Sequence, residues 1–308
     1  MKQLSRIGLV FALAVVAMQA AVDPALLNLV MPDAKVVAGI QVQQAQASAL
    51  GQYLMAQIPT GLERDKMTAA TGFDPTRDLR EIVAASSGAK NTGLLIGRGV
   101  FQPQRISALA ALSGGRVTTY KGVEIVASKG LPPCLAFLDA STVVVGDDAS
   151  LKAAIDRRTG GGQISGDLRQ KALDASSLND AWVVTVTPLA DLLSSTGAGA
   201  NFQQANLLQT VQQLAAGLKF GGSSVTLTGE AVTRSNEDAQ ALVDILRFLV
   251  SMAQANTKGP NAARASSIID AAKFSADGAV MRLIVEMPEK QIEEMLKPPA
   301  PRNRAAVR

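Results

Sequence analysis

Residues 218–253 read LKFGGSSVTLTGEAVTRSNEDAQALVDILRFLVSMA, and this stretch decides the fold class. Within it, residues 224–233 alternate apolar with polar side chains, a period of two that is typical of an antiparallel strand with one buried face. Ser235, with Asp238 three residues later, is a variant of the capping box that starts a helix. The apolar positions after it have helical spacing: Ala239, Leu242, Val243, Leu246, Leu249, Val250 and Ala253. The stretch therefore predicts a helix packed on a sheet.

Similar patterns, a strand followed by a capped helix, recur along the chain. Alternating apolar residues and turn residues predict strands at 34–42, 92–101, 117–120, 123–127, 134–138, 142–146, 181–187 and 224–233, and two more within 273–287. Caps, prolines and helical spacing predict helices at 43–57, 75–82, 103–112, 149–158, 167–176, 202–216, 236–255, 262–272 and 289–296, with one more after Pro188.

The run Gly160-Gly161-Gly162 is the clearest break in this series. Before and after it the same order returns: a strand with a helix, a second strand with a helix, and a hairpin with a helix. This order indicates an internal repeat. We therefore predict an α+β fold with two related modules, 21–159 and 163–296, each a mostly antiparallel sheet with helices packed on one face.

The charge of the chain is concentrated at its ends. The 308 residues carry a net charge of +4, and 47% of them are hydrophobic, which is a globular composition. Six of the 30 basic residues lie in 1–20 and 297–308, which leaves 24 basic against 26 acidic residues elsewhere. With only 4% aromatic residues and no basic stripe, no nucleic-acid partner is expected. The Pro/Arg-rich segment 297–308 is predicted to be a disordered basic tail.

Histidine is absent from the sequence, which excludes serine–histidine and cysteine–histidine catalysis and any histidine metal site. Cys134 is the only cysteine, so no intramolecular disulfide can form. Its neighbours are apolar, and we interpret it as a small core residue rather than a reactive thiol.

Residues 1–20 have the form of a secretory signal peptide. Lys2 and Arg6 precede the apolar run 7–18, which is too short to span a bilayer comfortably, and small residues follow. Cleavage after Ala20 or after Ala17 fits imperfectly, so an uncleaved membrane anchor is the alternative. We expect an exported protein, periplasmic or extracellular, and the lack of disulfides favours a bacterial envelope.

Two motifs that could carry catalysis or phosphate binding have a simpler interpretation. Ser87-Gly88-Ala89-Lys90 matches the S-x-x-K pattern of penicillin-recognising enzymes, but an internal glycine and the missing S-D-N partner argue against that chemistry. Gly97-Arg98-Gly99 and Gly197-Ala198-Gly199 lack the spacing of a phosphate-binding loop. We interpret all three segments as turns or strand glycines.

Paired acids also have structural explanations. Asp147-Asp148 is placed to cap a helix, and Glu293-Glu294 to form a solvated helix face. Trp182 and Phe137 fall on predicted strands and are expected in the core. The sequence therefore predicts no catalytic residue, no cofactor-binding residue and no metal ligand, and no cofactor.

Two parts of the sequence carry a family resemblance. They are 71–83 (TGFDPTRDLREIV) and the run from 143–147 (VVVGD) through 151–157, 160–162 and 181–193. With the strand–helix order, they resemble a group of exported bacterial proteins that share a domain of unknown function, over most of residues 30–296. The resemblance implies export and an α+β fold, and it supplies no activity or site residues.

The leading functional hypothesis is a non-enzymatic exported envelope protein that binds or scaffolds a partner, such as another envelope protein. A second hypothesis is a carrier that holds an apolar ligand between its sheet and its helices. A third is a hydrolase that uses carboxylates alone, since that chemistry needs no histidine.

Overall fold

A computed structural model describes residues 21–57, 68–89, 92–127, 134–160, 162–196, 209–256 and 271–296 of the chain. Twelve strands run through this part: β1 (Val36–Gln41), β2 (Leu79–Ser86), β3 (Gly93–Gly99), β4 (Arg116–Tyr120), β5 (Val123–Ala127), β6 (Cys134–Asp139), β7 (Thr142–Gly146), β8 (Ala181–Thr185), β9 (Val211–Phe220), β10 (Ser224–Thr233), β11 (Ala272–Asp277) and β12 (Val280–Pro288). The helices are α1 (Pro24–Leu27), α2 (Val42–Ala47), α3 (Ala49–Gln57), α4 (Pro75–Asp78), α5 (Pro103–Leu112), α6 (Asp148–Arg158), α7 (Gly166–Leu178), α8 (Leu189–Thr196), α9 (Asn236–Asn256) and α10 (Glu289–Leu296).

All twelve strands form one sheet, in the order β11-β12-β10-β9-β8-β1-β2-β3-β7-β6-β5-β4. Every pairing between neighbours is antiparallel. The α+β class and the antiparallel sheet predicted from the sequence are confirmed.

The two halves of the chain meet in the sheet at the pairing of β1 with β8, in which Gly39 lies opposite Trp182. On one side follow β2, β3 and β7, and on the other follow β9, β10 and β12. On each side, the strand of this pairing is followed by one hairpin and then by a second, and the later strand of the second hairpin pairs with the later strand of the first. On the β1 side, the hairpin of β4 and β5 extends the sheet further. The two halves of the chain therefore contribute to one continuous sheet. Their division into two modules stays a prediction.

The main core lies on one face of the sheet, which we call the first face. Strand register places Val37 beside Val184, and Val83, Ile96 and Val144 in the adjacent row of the same face, each almost fully buried. The helices α6 and α7 cover these two rows with Leu151 and Leu168, among others. Most strands here have a neighbouring strand on each side, so apolar side chains from several strands lie next to one another and form a single core.

The segment 22–31 completes the first-face core. Asp23 caps the short α1 by accepting a hydrogen bond from Ala25 N, and Pro24 opens the helix. Leu26, Leu27 and Val30 are fully buried, and the backbone N–H of Val22 donates to Ser176 Oγ at 3.1 Å. The sequence predicts no element here, because a four-residue helix has no measurable periodicity.

The opposite, second face carries a smaller core under α9. Leu242 and Val243 of this helix pack against Ala231 of β10 and Met281 of β12. The sequence predicted helices on one face of each module, and in this detail the structure differs. The helix α9 packs on the second face, whereas α6 and α7 pack on the first, because β10 and β12 carry apolar residues on the second face that need cover.

The solvent side of α9 is also apolar. Its exposed large side chains recur at i, i+3, i+4 and i+7: Ile245, Phe248, Leu249 and Met252. We call these four residues the α9 stripe.

The predicted helix 202–216 is wrong in its described part. Residues 211–220 form β9, which pairs along its length with β10. Gln212, Gln213, Ala215 and Ala216 favour helix intrinsically, but cross-strand pairing and burial override this weak preference. Gly217 does not end a helix. It lies within β9, where an added Cβ would be 2.1 Å from Asn179 Cγ, so only glycine fits.

The predicted helix 75–82 is also wrong beyond Asp78. Asp74 caps α4 as expected, but residues from Leu79 onward form β2. The alternating burial of Glu81, Val83 and Ala85 shows the strand period that the capping signal concealed.

The other predicted elements agree with the structure within a few residues, except that the helix predicted at 43–57 is interrupted at Ser48, which separates α2 from α3. Three predictions lie outside the described residues: the signal peptide at 1–20, the helix at 262–272 except for its last two residues, and the disordered tail at 297–308.

Candidate functional site

An apolar groove lies on the second face of β2, β3, β7 and β6. Register places Ile82, Gly97, Val143 and Phe137 in one row across these strands. The next row along β3, β7 and β6 holds Leu95, Val145 and Leu135. These residues form the floor of a cavity of about 320 Å³, which we call the apolar groove.

Aromatic rings form one wall of the apolar groove. Phe101 lies between Phe73 and Phe137, with ring centroids 5.4 Å and 5.5 Å away and the rings tilted. Ile106 of α5 also lines the groove. Tilted contacts at these distances are favourable for aromatic pairs, so the wall is well packed.

Two features leave the apolar groove open. Gly97 has no side chain at the centre of the floor, and a Cβ there would come 2.9 Å from Val143 Cγ1. Leu95 on the same face is 47% exposed, although it lies on a strand with neighbours on both sides. Thr71 is the one polar side chain among the described lining residues, and its Oγ1 accepts a hydrogen bond from Phe73 N. An apolar surface of this kind inside a concave site favours an apolar ligand.

The first face of the same strands carries a row of polar residues. Gln41, Glu81, Arg98 and Thr142 lie directly opposite one another on β1, β2, β3 and β7. We call these four residues the polar row. Gln41 Nε2 donates to Glu81 Oε1 at 2.9 Å, and Arg98 Nη1 donates to Thr142 Oγ1 at 2.9 Å. The row therefore lies at the edge of the main core with its members hydrogen-bonded in pairs.

Asp23, just before α1, joins the two pairs of the polar row. Its carboxylate forms an ion pair with Arg98, and its backbone N–H donates to Glu81 Oε2 at 3.4 Å. The buried Glu81 has its pKa raised to about 7, chiefly because burial disfavours the charged carboxylate. The hydrogen bond from Asp23 N lowers this pKa, the charge of the Asp23 carboxylate raises it, and Arg98 and Gln41 lower it.

The candidate motifs of the sequence have structural roles. Ser87 Oγ is hydrogen-bonded to Thr92 Oγ1 at 2.7 Å, and Gly88 has a φ of 83°, so this segment is a turn. Lys90 lies outside the described residues, as does Gly197-Ala198-Gly199. Gly97 and Gly99 lie in β3.

The predicted acid and core positions are found as follows. Asp147 caps α6, and its hydrogen bond from the Ser150 hydroxyl is the main cause of its lowered pKa. Glu293 and Glu294 lie on α10, where their side chains are outside the described part. Trp182 and Phe137 are buried, and Cys134 packs against the main core.

Neither the apolar groove nor the polar row was predicted from the sequence. Both combine residues of strands that lie far apart in the chain, so their assembly depends on strand order. A weak signal existed in Ile82, Leu95, Val143 and Val145, because these apolar residues alternate with equally apolar neighbours on the other face. Among the described residues, no group of three or more acidic or cysteine side chains is placed to hold a metal ion.

Comparison with known proteins supports the fold. Crystal form IV of TP0453 has a TM-score of 0.53 at 14% identity, covering 91% of this chain and 98% of that chain. Crystal form III has a TM-score of 0.52 at 12% identity, covering 87% and 96%, and crystal form I has 0.51 at 10% identity, covering 90% and 97%. At these identities the likeness shows a shared fold alone.

The sequence matches no protein-family model and no curated protein. The resemblance to exported bacterial proteins stays a prediction. Within the described ranges, no helix combines the length and the apolar character needed to cross a membrane.

Proposed function

We propose that the protein is a non-enzymatic binding protein that holds an apolar chain in the apolar groove. The observation that carries this proposal is the exposure of Leu95, at 47%, within a concave surface whose other described lining residues are apolar except for Thr71. Leaving such a side chain in water costs free energy that a bound apolar group recovers. The second of the hypotheses made from the sequence is thus the one that the groove supports.

The size and chemistry of the apolar groove restrict the ligand. Its volume of about 320 Å³ lies at the small end of the range for ligand pockets, which suits a single acyl or alkyl chain. No carboxylate is among its described lining residues, so this site does not favour the carboxylate-only hydrolase.

Substitution of Leu95 by glutamine tests the groove. We expect the wild-type protein to bind the fluorescent fatty acid cis-parinaric acid saturably, in a titration followed by fluorescence. Leu95→Gln removes an apolar contact worth about 1.4 kcal/mol, so binding should weaken about tenfold. Because Leu95 is half exposed, the variant should fold normally.

Leu112→Gln is the matched control, because Leu112 is 87% exposed at the end of α5 and does not line the groove. This variant should bind the probe as the wild type does. Equal binding by all three proteins, or no saturable binding by the wild type, would contradict the proposal.

We also propose that the protein is exported to a bacterial envelope. Lys2, Arg6 and the apolar run 7–18 support this, and both candidate cleavage sites precede the buried segment 22–31. N-terminal sequencing of the protein from envelope fractions should find a start after Ala17 or Ala20. A protein that retains Met1 in those fractions would support the uncleaved anchor instead, and its recovery only from the cytoplasm would refute export.

A further inference from the structure

A second cavity, of about 320 Å³, lies on the first face, where the polar row meets the end of α6. Arg98 and Thr142 of the polar row line it together with Arg157 and Arg158 from the last turn of α6. Asn28, which follows α1, lines it too. We call this the arginine cavity. It is separated from the apolar groove by the thickness of the sheet, since β3 contributes Arg98 to one and Leu95 to the other.

Two of the three arginines in the arginine cavity have carboxylate partners. Arg98 is paired with Asp23. Arg158 donates through Nη1 to Leu138 O at 2.6 Å and reaches Asp139 Oδ2 through Nη2 at 3.5 Å. Asp139 also accepts hydrogen bonds from the backbone and hydroxyl of Ser141, so it is held in its charged form.

Arg157 is the exception. Its Nε donates to Leu29 O at 2.9 Å, but no carboxylate of the described chain lies within ion-pair distance of it. Its side chain is half-buried, and this burial lowers the pKa of the guanidinium. The charges of Asp33 and Asp156 raise this pKa, yet neither carboxylate forms an ion pair with the guanidinium. A partly desolvated cation without a direct ion pair is costly, and a bound anion reduces that cost.

An uncharged hydrogen-bond donor, the side-chain amide of Asn28, lines the arginine cavity together with Arg157. Arg169 Nη1 donates to Asn28 Oδ1 at 2.9 Å, which fixes the orientation of the Asn28 amide. Asn28 is exposed, and its Nδ2 group, with two N–H donors, has no hydrogen-bond acceptor among the described residues, so these donors are open to a ligand. A guanidinium and an amide donor lining one cavity are the groups that recognise planar or tetrahedral oxyanions.

We propose that the arginine cavity binds an oxyanion, a phosphate or a carboxylate, with Arg157 as its main charged contact and Asn28 Nδ2 as a donor. The anion occupies a different face from the apolar chain, so the two sites can be filled independently. A free anion and the phosphate of a lipid headgroup share this chemistry.

Isothermal titration calorimetry with inorganic phosphate, at constant ionic strength near neutral pH, tests the proposal. The wild-type protein should bind phosphate, and Arg157→Gln should weaken binding at least tenfold, since the variant loses the charged hydrogen bond to the anion. Arg105→Gln is the matched control, because Arg105 is an exposed arginine that donates to the backbone carbonyls of Ala69 and Ala70. It should bind phosphate as the wild type does.

Vesicles of phosphatidylcholine, with and without phosphatidic acid, distinguish the source of the anion. Binding to phosphatidic acid that requires Arg157, without binding of inorganic phosphate, would assign the cavity to a lipid phosphate. If neither probe binds, or if Arg157→Gln and Arg105→Gln behave alike, the proposal is overturned.

A measurement on the wild-type protein keeps the test valid if Arg157→Gln does not fold. In a nuclear magnetic resonance titration with whichever probe binds, the side-chain amide signals of Asn28 should shift. Those of Gln170, which donates to Asp174 on the exposed side of α7, should not. An unmoved Asn28 amide would overturn the proposal.

Discussion

Replacing Leu27 with alanine is expected to lower the free energy of unfolding by about 2–5 kcal/mol. Leu27 is fully buried in the first-face core, so its truncation removes apolar contacts and leaves a cavity that the surrounding strands cannot close. The effect should be as large as for a core residue of the sheet, although α1 is only four residues long. Chemical denaturation followed by circular dichroism measures it.

Leu112→Ala provides the comparison for Leu27→Ala. Leu112 is 87% exposed, so its truncation should change the free energy of unfolding by no more than about 0.5 kcal/mol. If the two variants lost similar stability, the segment 22–31 would not be an integral part of the core.

Replacing Glu81 with glutamine is expected to stabilise the protein at alkaline pH. The folded-state pKa of Glu81 is about 7, above the ordinary value of 4.5, so the folded state holds its proton more tightly than the unfolded state does. The resulting stabilisation is fully present below pH 4.5 and is lost as the pH rises through 7. A shift of this size corresponds to about 3 kcal/mol at pH 8 and above.

The glutamine side chain is always neutral, and its Oε1 still accepts the hydrogen bond from Gln41. Only the long 3.4 Å hydrogen bond from the backbone N–H of Asp23 is lost, because an amide nitrogen cannot accept it. The variant should therefore be more stable than the wild type at pH 8, and the advantage should shrink toward zero below pH 4.5, the ordinary pKa of the carboxyl. Denaturation at several pH values gives this comparison. A constant difference across the range would show that Glu81 does not titrate in the way its burial implies.

The sequence predicted most of the secondary structure because most signals were local. Asp147 and Pro103 mark helix starts, and Asp277-Gly278 marks a hairpin turn, each within a few residues of the element concerned. The prediction from sequence failed where pairing between strands distant in the chain determines the secondary structure. The segment 211–216 favours helix by composition, and only its pairing with β10 makes it a strand.

The candidate sites could not be predicted in the same way. The polar row needs the register of four strands, of which β3 and β7 are separated by more than forty residues. Arg157 looks like an ordinary charge in the last turn of a helix. Only the folded chain shows that it is half-buried and forms no direct ion pair with a carboxylate among the described residues.

The α9 stripe is a competitor of the apolar groove for an apolar ligand. Its four side chains are exposed, yet they lie on the convex surface of a helix and line neither the apolar groove nor the arginine cavity. A concave site removes more of a ligand's surface from water than a convex one does, so the groove should bind a single chain more tightly.

Photo-crosslinking with a diazirine-bearing fatty acid tests the central claim most directly, because it reports the binding position itself. After irradiation and digestion, mass spectrometry of the peptides should place the label on groove residues such as Leu95, Phe101 and Val145. Excess unlabelled fatty acid should remove this labelling, and Leu95→Gln should reduce it. Labelling concentrated on the α9 stripe, or spread over the surface without competition, would contradict the account.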